Sequence, residues 1–162
     1  MKERLLSLDG LYIVHSTGER DYDATVQALA LDEDQKKRWQ LFKYIDRMGD
    51  VLAASDLVVS RAGASSLAEI MTLGVPAVLV PYPHARGDHQ TLNARSCVAA
   101  GAAELVADSE LESPHFSELV MELLTDGERR DRMAAASKKL SGSDARIRLA
   151  DMAVELAGKK QS

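Results

Sequence analysis

Short apolar runs alternate with amphipathic stretches along the first two thirds of the chain, and this alternation predicts a βα pattern. Strands are predicted at residues 11–15, 41–45, 56–60, 77–80 and 104–106. Helices are predicted between them, at residues 23–31, 48–54, a segment around 67–71, and 90–100. Regular alternation of this kind favours an α/β fold, with an open parallel sheet, helices on both faces and right-handed crossovers.

Two strand–helix units in the middle of the chain carry the clearest signals. Within residues 56–60, the three central positions 57–59 form a continuous apolar run without alternation, which predicts a strand buried on both faces. In the helix that follows, Leu67, Ile70 and Met71 share one face, and Gly74 is a suitable stop at the carboxyl end. These features are typical of a strand and helix inside a parallel α/β layer.

The last third of the chain is predicted to be helical. Ser113 and Pro114 form an N-cap followed by a proline in the first helical position. The apolar stripe of this helix is formed by Phe116, Leu119, Val120, Leu123 and Leu124. Two further helices are predicted at residues 128–140 and 144–157. With 162 residues, the chain is expected to form a single domain, spanning residues 1–162.

Composition and charge exclude several classes of function. The formal net charge of −5 and the 4% aromatic content argue against a nucleic acid partner. The one cysteine, Cys97, cannot form an internal disulfide, so a reducing, cytoplasmic compartment is expected. No apolar run approaches the roughly 18 residues of a membrane span. Dinucleotide, Walker A, nucleophile-elbow and zincin motifs are absent from the sequence. No D-x-D lies in the loops that follow the second, third and fourth predicted strands, so no metal and no cofactor is expected.

The loop after the third predicted strand is suited to bind a phosphate. Small residues lead directly into a helix, and the first N–H groups of a helix lack internal partners. A diphosphate would lie at the N–H groups of Ser65 and Ser66, and Glu69, one turn later, would accept hydrogen bonds from ribose hydroxyls. From spacing alone, a serine N-cap and a solvated glutamate are the favoured interpretation, because loops of small residues often precede helices.

Two other loops are further candidates. His89 and Gln90 follow the fourth strand and could bind a sugar hydroxyl, with Asp88 capping the next helix; ordinary exposed side chains are an equal alternative. At the end of the second strand, the backbone of Ile45 and the side chain of Met48 could contact a flat base. On pattern alone, that segment is a strand leaving the sheet.

Taken together, five segments resemble the MurG family of glycosyltransferases. They are HSTG at 15–18, YIDRM at 44–48, SDLVVSRAGASSLAEI at 55–70, GVPAVLVPYP at 74–83 and DHQTLNA at 88–94. The resemblance runs in order across about residues 11–106. It implies one Rossmann-like half of a GT-B fold, the half that binds UDP-N-acetylglucosamine. It also implies an intact enzyme that converts lipid I to lipid II in peptidoglycan synthesis, peripheral on the cytoplasmic face of the bacterial inner membrane.

The resemblance also implies roles for individual residues. Ile45 would contact uracil through its backbone, and Met48 would line the uracil pocket. His89 and Gln90 would face the N-acetylglucosamine. The diphosphate and ribose segment would comprise Ala64, Ser65, Ser66, Leu67, Ala68 and Glu69.

The sequence departs from the family pattern at its start. It lacks the N-terminal domain that binds the lipid-linked acceptor and carries the histidine usually proposed as base, so no catalytic residue is assigned. It also lacks the first strand of the donor domain, with its GGS-x-GA loop, so residues 2–8 are expected to be a helix remnant. The isolated chain is therefore expected to be inactive. The alternatives are a free-standing half that pairs with a membrane-anchored subunit, and a non-catalytic nucleotide-sugar-binding module.

Overall fold

The computed structural model describes residues 1–84 and 88–141, and these residues contain helices and parallel strands in alternation. The helices are α1 (Lys2–Leu6), α2 (Tyr22–Leu29), α3 (Glu33–Arg38), α4 (Met48–Ala53), α5 (Ala64–Leu73), α6 (His89–Ala99), α7 (Pro114–Thr125) and α8 (Gly127–Ser141). The strands are β1 (Ile13–Ser16), β2 (Trp39–Phe42), β3 (Val58–Ser60), β4 (Ala77–Leu79) and β5 (Ala103–Leu105). The predicted helix at 144–157 lies outside the described residues.

The strands form two parallel sheets. β1 pairs with β2, with Ile13 opposite Trp39, and the other sheet has the order β3–β4–β5, with Val78 between Val59 and Glu104. All pairings are parallel, as predicted. The predicted open parallel sheet is divided into these two parts among the described residues, where β1 and β3 each have a partner strand on one edge only.

Strand β4 lies at the centre of the fold, with helices packed on both of its faces. Ala77 and Leu79 belong to one apolar cluster together with buried residues of α4, α5 and α6. Val78 and Val80 belong to a second cluster, with buried residues of α1, α7 and α8. Because successive side chains of a strand point to opposite faces, these two clusters are the two layers that the βα pattern predicts.

Three local predictions need correction. β2 starts at Trp39 and ends at Phe42, two to three residues earlier than expected, because Trp39 is 8% exposed in the core whereas Tyr44 is 76% exposed. β3 is not buried on both faces: Val59 is 46% exposed, since β3 is at the edge of its sheet. Helix α3 was not predicted, although the side chains of Asp32 and Gln35 form a capping box at its start.

Other local predictions are confirmed. α5 ends at Leu73, and Gly74 follows it as the C-cap, with a left-handed backbone, φ of +73°, that favours glycine. The Ser113 hydroxyl accepts a hydrogen bond of 3.2 Å from the Phe116 N–H, so it caps α7 as expected. In α7, Phe116, Leu119, Val120 and Leu123 are buried, which places the apolar stripe against the core. The helix predicted within residues 2–8 is present at Lys2–Leu6.

Candidate functional site

The start of α5 is the centre of the candidate site. It follows β3 after three residues, and Ala62 is completely buried in this turn. Gly63 is the N-cap residue, and no side chain caps the helix. The first intrahelical bond runs from the Leu67 N–H to the Gly63 carbonyl, at 2.9 Å. The N–H groups before Leu67 therefore point out of the helix start, where the helix dipole favours an anion.

The side chains of α5 are sorted as the sequence predicts. Ser65, Ser66 and Glu69 are exposed, whereas Ile70 and Met71 on the opposite face are buried. In the part of the chain that the structure describes, the Glu69 carboxylate has no hydrogen bond or ion pair. The uncapped turn and an unpaired carboxylate one turn later thus form one exposed strip, with Ala64 and Ala68 also exposed in it.

Leu67 does not fit this strip. Its side chain is 6% exposed and belongs to the core cluster of α5, and its N–H is bonded to Gly63. Leu67 therefore anchors the helix start, and the exposed part of the predicted segment is formed by its neighbours. The i, i+3, i+4 pattern of apolar residues predicts that Leu67 lies on the buried face. This pattern is the sequence signal that distinguishes Leu67 from the exposed residues of the predicted diphosphate and ribose segment.

The start of α6 lies at the carboxyl end of β4. His89 is exposed and is the first residue of the helix, and Gln90 follows it. The Gln90 side-chain oxygen accepts a hydrogen bond of 2.9 Å from the Tyr82 N–H. Asp88 does not cap the helix through its side chain, which corrects the prediction; its backbone is left-handed, with φ of +54°.

Arg61, for which the sequence pattern predicts no role, connects these two helix starts. Its Nη1 lies 2.5 Å from the Asp108 Oδ1 and 3.3 and 3.4 Å from the Val80 and Pro81 carbonyl oxygens. Its guanidinium carbon lies 5.6 Å from the centre of the Tyr82 ring, a cation–π distance. The sequence holds one signal for this contact: Arg61 follows β3 and Asp108 follows β5, and parallel strands end at the same edge of a sheet.

The segment that follows β2 supplies the third part. Ile45 is half-buried in the loop, and Met48, 37% exposed, begins α4. α4 packs against α5, and Leu52 of α4 shares a core cluster with Leu67. α4 and α5 each start after a strand, and α5 also packs against α6. The predicted residues therefore lie on or next to three helices that pack in the order α4, α5, α6.

The described residues contain no group of three or more side chains of the metal-ligating types gathered in one place. Residues 1–84 and 88–141 also contain no helix that is both long and apolar enough to cross a bilayer.

Comparison with known proteins supports the resemblance that the motifs carry. Residues 2–149 match the model of the glycosyltransferase family 28 C-terminal domain. The chain is 44% identical over 145 residues to the UDP-N-acetylglucosamine–N-acetylmuramyl-(pentapeptide) pyrophosphoryl-undecaprenol N-acetylglucosamine transferase of Chlorobium limicola, with 90% of this chain and 39% of the relative covered. A protein of the same name from Halothermothrix orenii is 42% identical, with 91% and 40% covered.

Solved structures agree with the sequence comparison. Acinetobacter baumannii MurG superimposes with a TM-score of 0.75 and 30% identity over 93% of this chain and 45% of that one. The kitacinnamycin glycosyltransferase, at 21% identity and a TM-score of 0.63, shares the fold. The fold is thus the Rossmann-like half of a GT-B glycosyltransferase, as predicted. The chain spans about two fifths of the length of the curated relatives it matches.

Proposed function

We propose, because this chain belongs to the glycosyltransferase family 28 C-terminal domain family, that it is the donor-binding part of an N-acetylglucosaminyltransferase. Its ligand is UDP-N-acetylglucosamine, the sugar nucleotide named in its curated relatives. The observation that carries this proposal is the start of α5: a helix N-terminus without a side-chain cap, with two exposed serines in its first turn. The Glu69 carboxylate, which has no partner among residues 1–84 and 88–141, lies one turn away.

Each part of the ligand is assigned to one part of the site. The diphosphate lies at the first N–H groups of α5, because these donors and the helix dipole stabilise negative charge without reorganisation. The Glu69 carboxylate accepts hydrogen bonds from the ribose hydroxyls. The Ile45 backbone and the Met48 side chain contact uracil, and His89 and Gln90 face the sugar.

This arrangement favours departure of a nucleotide. When the bond between the sugar and the diphosphate breaks, negative charge increases on the leaving UDP, and the first turn of α5 is the group that stabilises it. We assign no base or acceptor-binding residue to this chain. The intact protein is proposed to supply both from its other half, and to transfer N-acetylglucosamine to undecaprenyl-diphospho-muramoyl-pentapeptide. The isolated chain is then inactive as a transferase.

Two further assignments belong to the intact protein. A strand outside residues 1–162 is proposed to complete the sheet, an assignment compatible with the unpaired edges of β1 and β3 among the described residues. The acceptor-binding half, or a separate membrane-associated subunit, is proposed to hold the enzyme at the cytoplasmic face of the membrane.

Isothermal titration of the chain with UDP-N-acetylglucosamine tests the proposal. We expect saturable binding, and a loss of about 10- to 100-fold in affinity for Glu69→Ala, since hydrogen bonds to a charged group are strong. Glu118→Ala is the matched control, because Glu118 is an exposed glutamate on a different helix, α7. The Glu118→Ala variant should bind UDP-N-acetylglucosamine with the same affinity as the unmodified chain. Absence of binding, or equal affinities of the Glu69 and Glu118 variants, would contradict the donor site.

A further inference from the structure

The ion pair between Arg61 and Asp108 joins the ends of all three strands in the larger sheet. Arg61 follows β3, the two carbonyl groups that it contacts follow β4, and Asp108 follows β5. Two N–H groups on Nη1 are shared among three acceptors, so the 2.5 Å contact with Asp108 is the principal one and the carbonyl contacts at 3.3 and 3.4 Å are secondary. Asp108 therefore determines where the guanidinium lies.

The guanidinium in turn supports Tyr82. The Tyr82 ring is 47% exposed and lies beneath the Arg61 guanidinium on one side, while it meets the His84 ring edge-on, with centroids 5.5 Å apart. The Tyr82 N–H is the donor that holds the Gln90 side chain. A continuous set of contacts thus runs from Asp108 through Arg61 and Tyr82 to Gln90.

We propose that Arg61 and Asp108 are a positioning pair that sets the orientation of Gln90, and so determines how well the site distinguishes a nucleotide sugar from the bare nucleotide. This inference rests on the proposed function, in which Gln90 faces the sugar. The pair acts through Tyr82 and need not touch the ligand. Its removal is therefore expected to weaken the sugar contact and to leave the diphosphate contacts at α5 in place.

The test measures two affinities for each variant, for UDP and for UDP-N-acetylglucosamine, by isothermal titration. For Asp108→Ala we expect about a 3- to 10-fold loss of affinity for UDP-N-acetylglucosamine and less than about a twofold change for UDP. Arg61→Lys keeps the charge but loses the planar group that bridges Asp108 and Tyr82, so it should shift the ratio of affinities in the same direction.

Glu104→Ala is the matched control. Glu104 forms an ion pair of 2.7 Å with Arg129, and its side chain is 35% exposed, the same fraction as that of Asp108. It lies within β5 rather than after it, so this variant breaks a similar ion pair without touching Arg61 or Tyr82. We expect both affinities of Glu104→Ala to remain within about twofold of the unmodified chain.

Coupling to Gln90 separates positioning from direct contact. In a Gln90→Ala background, Asp108→Ala should change the affinity for UDP-N-acetylglucosamine by less than about twofold, because the route to the sugar is already removed. Three outcomes would overturn the positioning role. The first is an undiminished loss of affinity for UDP-N-acetylglucosamine when Asp108→Ala is made in the Gln90→Ala background. The others are equal losses of affinity for UDP and UDP-N-acetylglucosamine, and a ratio of the two affinities that stays unchanged in both Asp108→Ala and Arg61→Lys. An unmodified chain that binds neither ligand would overturn the proposed function, and with it this inference; binding of both ligands with an unchanged ratio would overturn the inference alone.

Discussion

The two sheets of this fold are built from the same kind of parallel pairing but differ in how they are buried. In β4, Ala77, Val78 and Leu79 have no exposed surface, and apolar clusters cover both faces. In β1, burial alternates, and Val14 is 47% exposed. The central strand of the three-stranded sheet thus lies between two helical layers, whereas the two-stranded sheet has one covered face.

This difference divides the candidate site. The α5 and α6 starts, with Glu69 and Gln90, follow strands of the buried sheet. The segment with Ile45 and Met48 follows β2 of the exposed sheet. Because local stability follows apolar burial, the diphosphate and sugar side should be held rigidly, and the base side should open at a lower free energy. Trp39, the single tryptophan of the sequence, lies in β2 and shares a core cluster with Val78 of β4, so its fluorescence reports on the exposed sheet where that sheet packs against the core of the buried one.

The largest expected effect on stability comes from truncating a core side chain of the buried sheet. Leu79→Ala should lower the free energy of unfolding by about 2–5 kcal/mol, because Leu79 is fully buried and the cavity would be surrounded by packed helices. The matched variant Leu41→Ala, at a half-buried leucine of β2, should lower it by about 1 kcal/mol. Urea unfolding followed by circular dichroism measures both. Equal losses would show that the two sheets are equally supported.

Sequence patterns identified most of the buried sheet and less of the exposed one. The βα alternation, the Gly74 stop and the Ser113 cap are local signals, and all three are confirmed. β-formers such as Tyr44 predict β2 too late in the chain, because the position of this strand depends instead on the burial of Trp39. Only the three-dimensional packing decides which of two overlapping apolar runs faces the core.

The candidate site shows the same limit. The α5 strip could be predicted because its residues lie within two helical turns of one another. The link from Asp108 to Gln90 could not, because it depends on side-chain contacts between residues up to 47 positions apart, such as Arg61 and Asp108. Sequence order places both residues after parallel strands, but it does not show that they meet.

Arg38 gives the next largest effect, and it acts on the exposed sheet. Its guanidinium donates hydrogen bonds to the carbonyl oxygens of Leu6, at 3.0 Å, of Leu11, at 3.2 Å, and of Leu8. It therefore ties α1 and the connection to β1 to the end of α3. Arg38→Ala should lower the free energy of unfolding by about 1.5–3 kcal/mol, because these charged donors are half-buried.

Two probes show where the Arg38 effect is felt. The urea midpoint from Trp39 fluorescence should fall further than the midpoint from circular dichroism, because the exposed sheet opens first. Arg20→Ala is the control, since Arg20 forms an exposed ion pair with its neighbour Asp21, and both midpoints should be unchanged. Coincident midpoints in Arg38→Ala would mean that the two sheets unfold as one unit.

A pair of helix caps provides a smaller and more closely matched comparison. Ser113 caps α7 beneath the buried sheet, and Asp32 caps α3 beside the exposed one, where its side chain accepts hydrogen bonds from Asp34 and Gln35. Each change to alanine should lower stability by about 1 kcal/mol. Ser113→Ala should move the dichroism and fluorescence midpoints together, and Asp32→Ala should move the fluorescence midpoint further. The reverse pattern would contradict the assignment of α3 to the weaker half.

The smallest expected effect is a pH dependence that originates in the exposed sheet. His15 of β1 is half-buried, with its ring 6.3 Å from that of Trp39, and burial lowers its pKa below the ordinary value of 6.5. As the pH falls below the ordinary pKa of histidine, His15 becomes protonated in the unfolded chain. In the folded chain it stays neutral until the pH reaches the lowered pKa. The contribution of neutral His15 to the free energy of unfolding is therefore fully present above about pH 6.5, and it is lost as the pH falls through the lowered pKa.

Comparing His15→Gln with the unmodified chain isolates this contribution, because the carboxylates titrate alike in both. Between about pH 7.5 and about pH 5.5, the unmodified chain should lose more stability than the variant, and the extra loss should appear mainly in Trp39 fluorescence. The sign follows from burial: a folded state that excludes the proton is weakened by acid. If the variant showed the steeper pH dependence, His15 would be stabilised in its charged form, and the covered face of β1 would have to be more polar than its contact with Trp39 indicates.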